Sequence, residues 1–163
     1  LKYMLLDESI TMPGMAIGLN TQGFGNFNKG DSLNRYDMKA YGFYVSASKN
    51  WKTFLGNMGL HAGTSYNFTE KEDGDNDPNL FFGVDIELNP EFSLLMEYNA
   101  ALNENDMTSQ NLAISRGGYL NAAIRWTFVE HLHLELNFNN LLFDEDKVDY
   151  FKREIKIIYI EYF

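Results

Sequence analysis

Residues 80–98, LFFGVDIELNPEFSLLMEY, alternate between apolar and small or polar side chains almost without a break. Leu80, Phe82, Val84, Ile86 and Leu88 share one parity, and Gly83, Asp85 and Glu87 take most of the other. After Asn89-Pro90-Glu91 the apolar parity resumes with Phe92, Leu94, Met96 and Tyr98. A period of two belongs to the β-strand, whose successive side chains point to opposite faces. The segment therefore predicts a hairpin with one apolar face. That face has to meet either a protein core or lipid, and the choice sets both architecture and cellular address.

The same alternation recurs along the chain, at 1–6, 15–21, 40–48, 57–68, 119–128, 132–138 and 154–163. With the two runs of the opening segment this predicts about nine strands, most near the 9 to 11 residues of a tilted membrane-crossing strand. Little reads as a helix. The connections alternate in length. Short ones fall at 49–54, 89–91 and 129–131, and long polar ones at 22–38, 69–78, 101–117 and 139–149. Short turns at one rim and long loops at the other are the layout of an outer-membrane barrel. Counting back from 89–91 sets Ile86 against Leu94, Val84 against Met96 and Phe82 against Tyr98. Counting back from 129–131 sets Phe128 against Leu132, Trp126 against Leu134 and Ile124 against Leu136, with Arg125 facing Glu135 on the other side. A slip of one residue would break both sets.

Bulk properties remove several classes. Lys and Arg number 13 against 23 Asp and Glu, a net charge of −10, which disfavours a nucleic-acid partner. The absence of cysteine excludes disulfides and thiolate ligands. No apolar run reaches the roughly 18 residues of a membrane helix, and mean hydropathy is −0.33. A membrane barrel, apolar only on alternate residues, also looks water-soluble on average. The chain begins at Leu1 rather than Met, and the expectation is of a longer precursor with targeting sequence and some structure upstream.

Three features place lipid against the apolar parity. The other face is rich in small residues, among them Gly42, Gly59, Gly63, Gly83, Ser46, Ser48, Ser65 and Ala123, which suit a crowded lumen. Its charges are sparse and mixed: Asp85, Glu87, Glu97, Arg125, Glu135, Glu154 and Lys156. Aromatic residues collect at the ends of the apolar face, where Tyr66, Phe68, Phe82, Tyr98, Trp126, Phe128 and Phe138 would make an interfacial girdle. Leu95, Ile158 and Ile160 depart from this pattern by falling on the lumen side. A soluble sandwich or calycin-like barrel is the competing fold.

The chain closes on IKIIYIEYF, and a terminal aromatic, Phe163, on an amphipathic last strand resembles the signal read by the barrel assembly machinery. Glu161 departs from the usual form of that signal. A closed barrel with both termini periplasmic has an even strand number, so the expected whole is about 10 or 12.

The segments LLDES, MPGMAIGLNTQGFG, YVSASKNW, LFFGVDIELNPEFSLLMEYN, GGYLNAAIRWTF, HLHLELNFNNLL and REIKIIYIEYF together resemble the barrel portion of YjbH-type outer-membrane proteins. The resemblance implies an antiparallel up-and-down transmembrane β-barrel linked to exopolysaccharide production. It carries over no catalytic residue.

Candidate chemistry is thin. His61, His131 and His133 are the only histidines, and a barrel hydrolase would need one of them beside a serine such as Ser65 or Ser93. Nothing in the spacing demands that pairing. Asp73, Asp75 and Asp77 alternate as in calcium loops, but Pro78 stands where the glycine of such a loop belongs. A solvated acidic loop is the plainer reading, with an ion bridged to lipopolysaccharide as the alternative. The glycine-rich stretch 21–31 lacks a phosphate-loop ending and reads as a flexible outer loop. Arg125, Glu135, Glu97, Glu87 and Asp85 read as one ion network inside the barrel. The expectation is thus a single domain over 1–163 in the bacterial outer membrane, accessory and non-catalytic, needing no cofactor. Its partners would be lipid, lipopolysaccharide, the assembly machinery and polysaccharide. A small-solute pore and a barrel hydrolase are the alternatives.

Overall fold

The computed structural model describes residues 1–29, 34–54, 56–105, 117–129, 131–142 and 152–160. Nine strands form one antiparallel sheet: β1 (Lys2–Leu6), β2 (Gly14–Asn20), β5 (Gly42–Thr53), β6 (Gly56–Tyr66), β7 (Asn79–Glu87), β8 (Phe92–Asn99), β9 (Tyr119–Val129), β10 (Leu132–Asn139) and β11 (Lys152–Tyr159). Each pairs with its neighbours in this order. The long β2–β5 connection carries a separate ribbon, β3 (Phe24–Asn28) and β4 (Arg35–Met38). Part of the predicted outer loop at 21–31 is thus a strand, hidden by glycines that carry no alternating signal.

The expected hairpin registers hold, with one slip. Ile86 pairs with Leu94, Val84 with Met96 and Phe82 with Tyr98. Trp126 pairs with Leu134, Ile124 with Leu136 and Arg125 with Glu135. Leu132, however, pairs with Val129 rather than Phe128, because the ladder shifts between Leu132 and His133. The extra residue is a bulge, a common device at a sheet rim. The turn expected at 49–54 is much tighter. The β5–β6 ladder runs on through Lys49–Leu60 and Trp51–Met58 to Thr53–Gly56. The polar residues Lys49, Asn50 and Lys52 belong to a strand end, where their heads reach the rim.

The 89–91 turn closes as the sequence predicts. Leu88 N–H donates to the Phe92 carbonyl at 3.0 Å. The Asn89 side chain accepts from the backbone N–H groups of Glu91 and Phe92, both at 2.9 Å, the local bonding that makes Asn a turn former.

Burial follows polarity in reverse. Along β6, Leu60, Ala62, Thr64 and Tyr66 are exposed, whereas Gly59 and Ser65 are buried. On β10, Glu135 is 7% exposed and its neighbour Leu136 is 36% exposed. An aliphatic row crosses five strands on the exposed face, Ile86–Leu94–Ile124–Leu136–Ile155, each partnered with the next.

A flat nine-stranded sheet would hold its edges roughly 38 Å apart at about 4.8 Å per step. Lys2 on β1 and Lys156 on β11 instead line one cavity of about 580 Å³, together with central-strand residues such as Ser48, Glu97 and Glu135. The sheet therefore curls, with its polar face concave. Among the described residues no ladder joins β1 to β11. Phe163 lies outside the described residues.

Candidate functional site

The polar face gathers its functional groups in three places. On β5, β6 and β7, Ser48 stands directly opposite His61, and Asp85 lies diagonally beyond. His61 Nδ1 is 2.8 Å from Ser48 Oγ, and His61 Nε2 is 2.5 Å from Asp85 Oδ1. A carboxylate oxygen accepts. The ring proton therefore belongs on Nε2, and the Nδ1 lone pair accepts from the Ser48 hydroxyl. The expected partners differ: Ser65 faces Tyr44 and Asn79, and Ser93 faces Arg125 and Glu87. The misplaced 49–54 turn is what concealed Ser48. A turn centred between residues 54 and 55 sets 48 against 61 by simple counting.

The second group is aromatic. The Tyr41 hydroxyl donates to Glu97 Oε1 at 2.7 Å. Its ring lies 5.2 Å from that of Phe81 and 6.3 Å from that of Tyr44.

The third group is the predicted ion pair. Arg125 Nη2 and Nε donate to Glu135 Oε2 at 2.8 and 3.0 Å. The rest of the expected network does not join it. Glu97 serves Tyr41, Asp85 serves His61, and Glu87 accepts from Asn57 Nδ2 at 2.6 Å. Glu97 is too far along the strands, since it faces Asn121, four residues from Arg125, or about 13 Å at strand rise; Glu87 is level with Arg125 but has Ser93 on the strand between them.

At the long-loop end lies a charged cluster that sequence spacing does not reveal. Arg35, on β4, donates from Nη1 to Asp73 Oδ2 at 2.7 Å and from Nη2 to Glu104 Oε2 at 3.0 Å. Its side chain is 1% exposed. Lys39 Nζ reaches Asp73 Oδ2 at 2.7 Å and the Asp75 carbonyl at 2.7 Å. Glu104, in a single 3₁₀ turn at Leu102–Glu104, also accepts from Lys39 N–H at 2.7 Å and from the Tyr119 hydroxyl at 2.9 Å. Glu70 accepts the backbone N–H groups of Tyr36 and Ala40 at 2.7 and 2.8 Å. The ribbon is thereby strapped to the loops that follow β6 and β8. Burial pushes the Glu104 carboxyl above the usual carboxylate range, against the pull of Arg35, Lys39 N–H and Tyr119. Burial opposes the Arg35 charge too, but Glu104 and Asp73 outweigh it and raise its pKa.

This cluster engages Asp73 and Asp75 of the candidate calcium loop formed by Asp73, Asp75 and Asp77. The Asp73 carboxylate is committed to two cations. Asp75 accepts the backbone N–H groups of Asp77 and Asn105 at 3.3 and 3.0 Å. Among the described residues no group of acidic or histidine side chains converges to hold a metal ion.

On the opposite face the aromatic residues fall near both ends. Tyr66 pairs with Phe43 and Phe82 with Tyr98 toward the long loops, with Phe68 just beyond β6. Toward the short turns, Phe92 stacks on Trp126 at 5.8 Å, and Trp126 meets Phe128 at 3.9 Å. Phe138 is half-buried, across from Ala122. Trp51 and Phe92 belong to the short-turn group although the sequence reading left them out. Comparison with known proteins returns no matching family model, no matching curated protein and no matching solved structure.

Proposed function

We propose that the chain forms most of a transmembrane β-barrel of the bacterial outer membrane, capped at its long-loop mouth. Its proposed role is accessory, within exopolysaccharide production or export. The observation that carries the membrane reading is the reversed burial: charged Glu135 is buried at 7% exposure beside Leu136 at 36%. A water-soluble sheet gains its stability by the opposite arrangement. Lipid against the apolar face removes the conflict, and the aromatic groups near its two ends then lie at the headgroup levels.

Topology supports the same reading. Nine antiparallel strands leave β1 and β11 running in the same direction. Antiparallel closure of the curled sheet takes an odd number of further strands, and the smallest closed form has about ten. The link to polysaccharide rests on the sequence resemblance to YjbH-type proteins. The partners proposed are lipid, lipopolysaccharide, the barrel assembly machinery and the polymer itself.

A pore is the second reading, and the cavity lined by Lys2, Lys156, Asn121 and Glu135 favours it. The charged cluster at the long-loop end and the rings of Tyr41, Tyr44 and Phe81 oppose free passage.

The membrane test uses Trp51 and Trp126, which are 43% and 39% exposed. In vesicles of brominated phosphatidylcholine, their fluorescence is expected to be quenched relative to unbrominated vesicles. A chain that folds in water with both indoles unquenched overturns the reading. Planar-bilayer recording then decides between capped barrel and pore: silence fits the cap, and steady conductance fits the pore.

A further inference from the structure

Ser48, His61 and Asp85 come from three adjacent strands, and one glycine makes room for their alignment. Gly83 faces His61 across the β6–β7 ladder, where even a Cβ would make only ordinary contact with the His61 side chain. Gly59 faces Asp85, and a Cβ there would run into Asp85 Oδ1. A missing side chain is what lets the carboxylate turn toward His61. The tautomer set by Asp85 aims the basic ring nitrogen at the Ser48 hydroxyl, the order of groups that activates a serine. All three residues line the cavity of about 580 Å³ on the polar face.

We propose that this is an esterase site in the lumen, with Ser48 as nucleophile, His61 as general base and acid, and Asp85 positioning the imidazole. Its substrates are carboxylic esters of small acyl groups. The site opens on the polar face, away from the face assigned to lipid, so the ester arrives from water rather than from a phospholipid. The cavity offers aromatic walls in Tyr41, Tyr44 and Phe81.

The chemistry balances without a further reagent. Ser48 Oγ attacks the ester carbonyl carbon as its proton passes to His61 Nδ1. The tetrahedral intermediate collapses, the bond to the alcohol oxygen breaks, and His61 returns the proton to the departing alkoxide. Water then attacks the acyl-serine and gives its proton to His61. His61 protonates Ser48 Oγ as the carboxylic acid leaves.

The site rests on the polar face lining a lumen. Lipid quenching on the same refolded sample therefore separates a failure of the site from a failure of the barrel. The full chain refolded into phosphatidylcholine vesicles is treated with a fluorophosphonate reagent and mapped by mass spectrometry. Covalent modification at Ser48 is expected, absent in Ser48→Ala and slowed on the order of 10³-fold in His61→Asn. With p-nitrophenyl acetate, Asp85→Asn is expected to lower kcat at unchanged KM, and Asp85→Glu to recover part of it. A chain that passes the quenching test yet leaves Ser48 unmodified overturns the proposal. So does equal modification of Ser48 in His61→Asn.

Discussion

Arg35 and Glu104 are 69 positions apart in the chain, and Arg35 Nη2 lies 3.0 Å from Glu104 Oε2. The two side chains are 1% and 3% exposed. Two charges so far from water are tolerable only when each remaining donor and acceptor is met. Here the guanidinium also binds Asp73 and the Tyr36 and Asp37 carbonyls. Charge pairing, rather than apolar area, thus holds the β3–β4 ribbon at the long-loop end of the sheet.

Arg35→Met should therefore loosen the cap more than a surface substitution would. It leaves the Glu104 carboxylate buried without its cation, a loss on the order of 3–5 kcal/mol. Hydrogen exchange should rise across residues 35–40 and 67–79 while β6 to β9 remain protected. Unchanged protection in those segments would show that the ribbon is held by something else.

Glu104 gives the cap a pH dependence of definite sign. Burial, its largest influence, raises its pKa above the ordinary 4.5. The folded chain then holds this proton more tightly than the unfolded chain. Its contribution to stability is fully present below pH 4.5 and is lost as pH rises through the folded value. Wild type compared with Glu104→Gln should accordingly lose relative stability as pH is raised from about 4 toward neutrality. A gap moving the other way would mean that Arg35 and Tyr119 outweigh desolvation.

Arg125 and Glu135 test the polar face of the sheet at its best-defined pair. Arg125 is partly exposed and Glu135 is nearly closed off, at 37% and 10% of their side chains. Arg125→Met leaves a buried acceptor unmet, at a cost of about 1–3 kcal/mol. Exchanging the two residues, Arg125→Glu with Glu135→Arg, should restore much of that. Thermal melts of the single and double variants read the coupling, and no recovery in the exchange would deny the pair a stabilising role.

The strands were legible because alternation is local, and each short hairpin converts it into register by counting. Asn89-Pro90-Glu91 does this for β7 and β8, and Arg125–Glu135 follows from the turn after β9. What was missed lacks such a signal. Lys49, Asn50 and Lys52 look like a loop because a strand end at a rim carries polar heads, and that error displaced Ser48 from His61. The cap was illegible for a stronger reason. Arg35 and Lys39 lie in the β2–β5 connection, Glu70 follows β6 and Glu104 follows β8, and only the chain path over the long-loop end brings them together.

On β8 and β9 the aliphatic row Ile86–Leu94–Ile124–Leu136–Ile155 lies between the Phe92–Trp126 pair and Tyr98, so it falls within the apolar belt. With lipid on this face, as proposed, an arginine there would enter hydrocarbon, at about 2–4 kcal/mol near the midplane of a barrel. Leu94→Arg should lower stability in lipid vesicles by that amount, read from urea unfolding followed by tryptophan emission. Leu95 is the control, since it faces Ala123 on the polar side, and Leu95→Gln should cost clearly less. In a soluble sheet Leu94 would already be solvated at 39% exposure, and arginine would be nearly neutral. A Leu94→Arg chain as stable as wild type in vesicles would therefore move the lipid from this face.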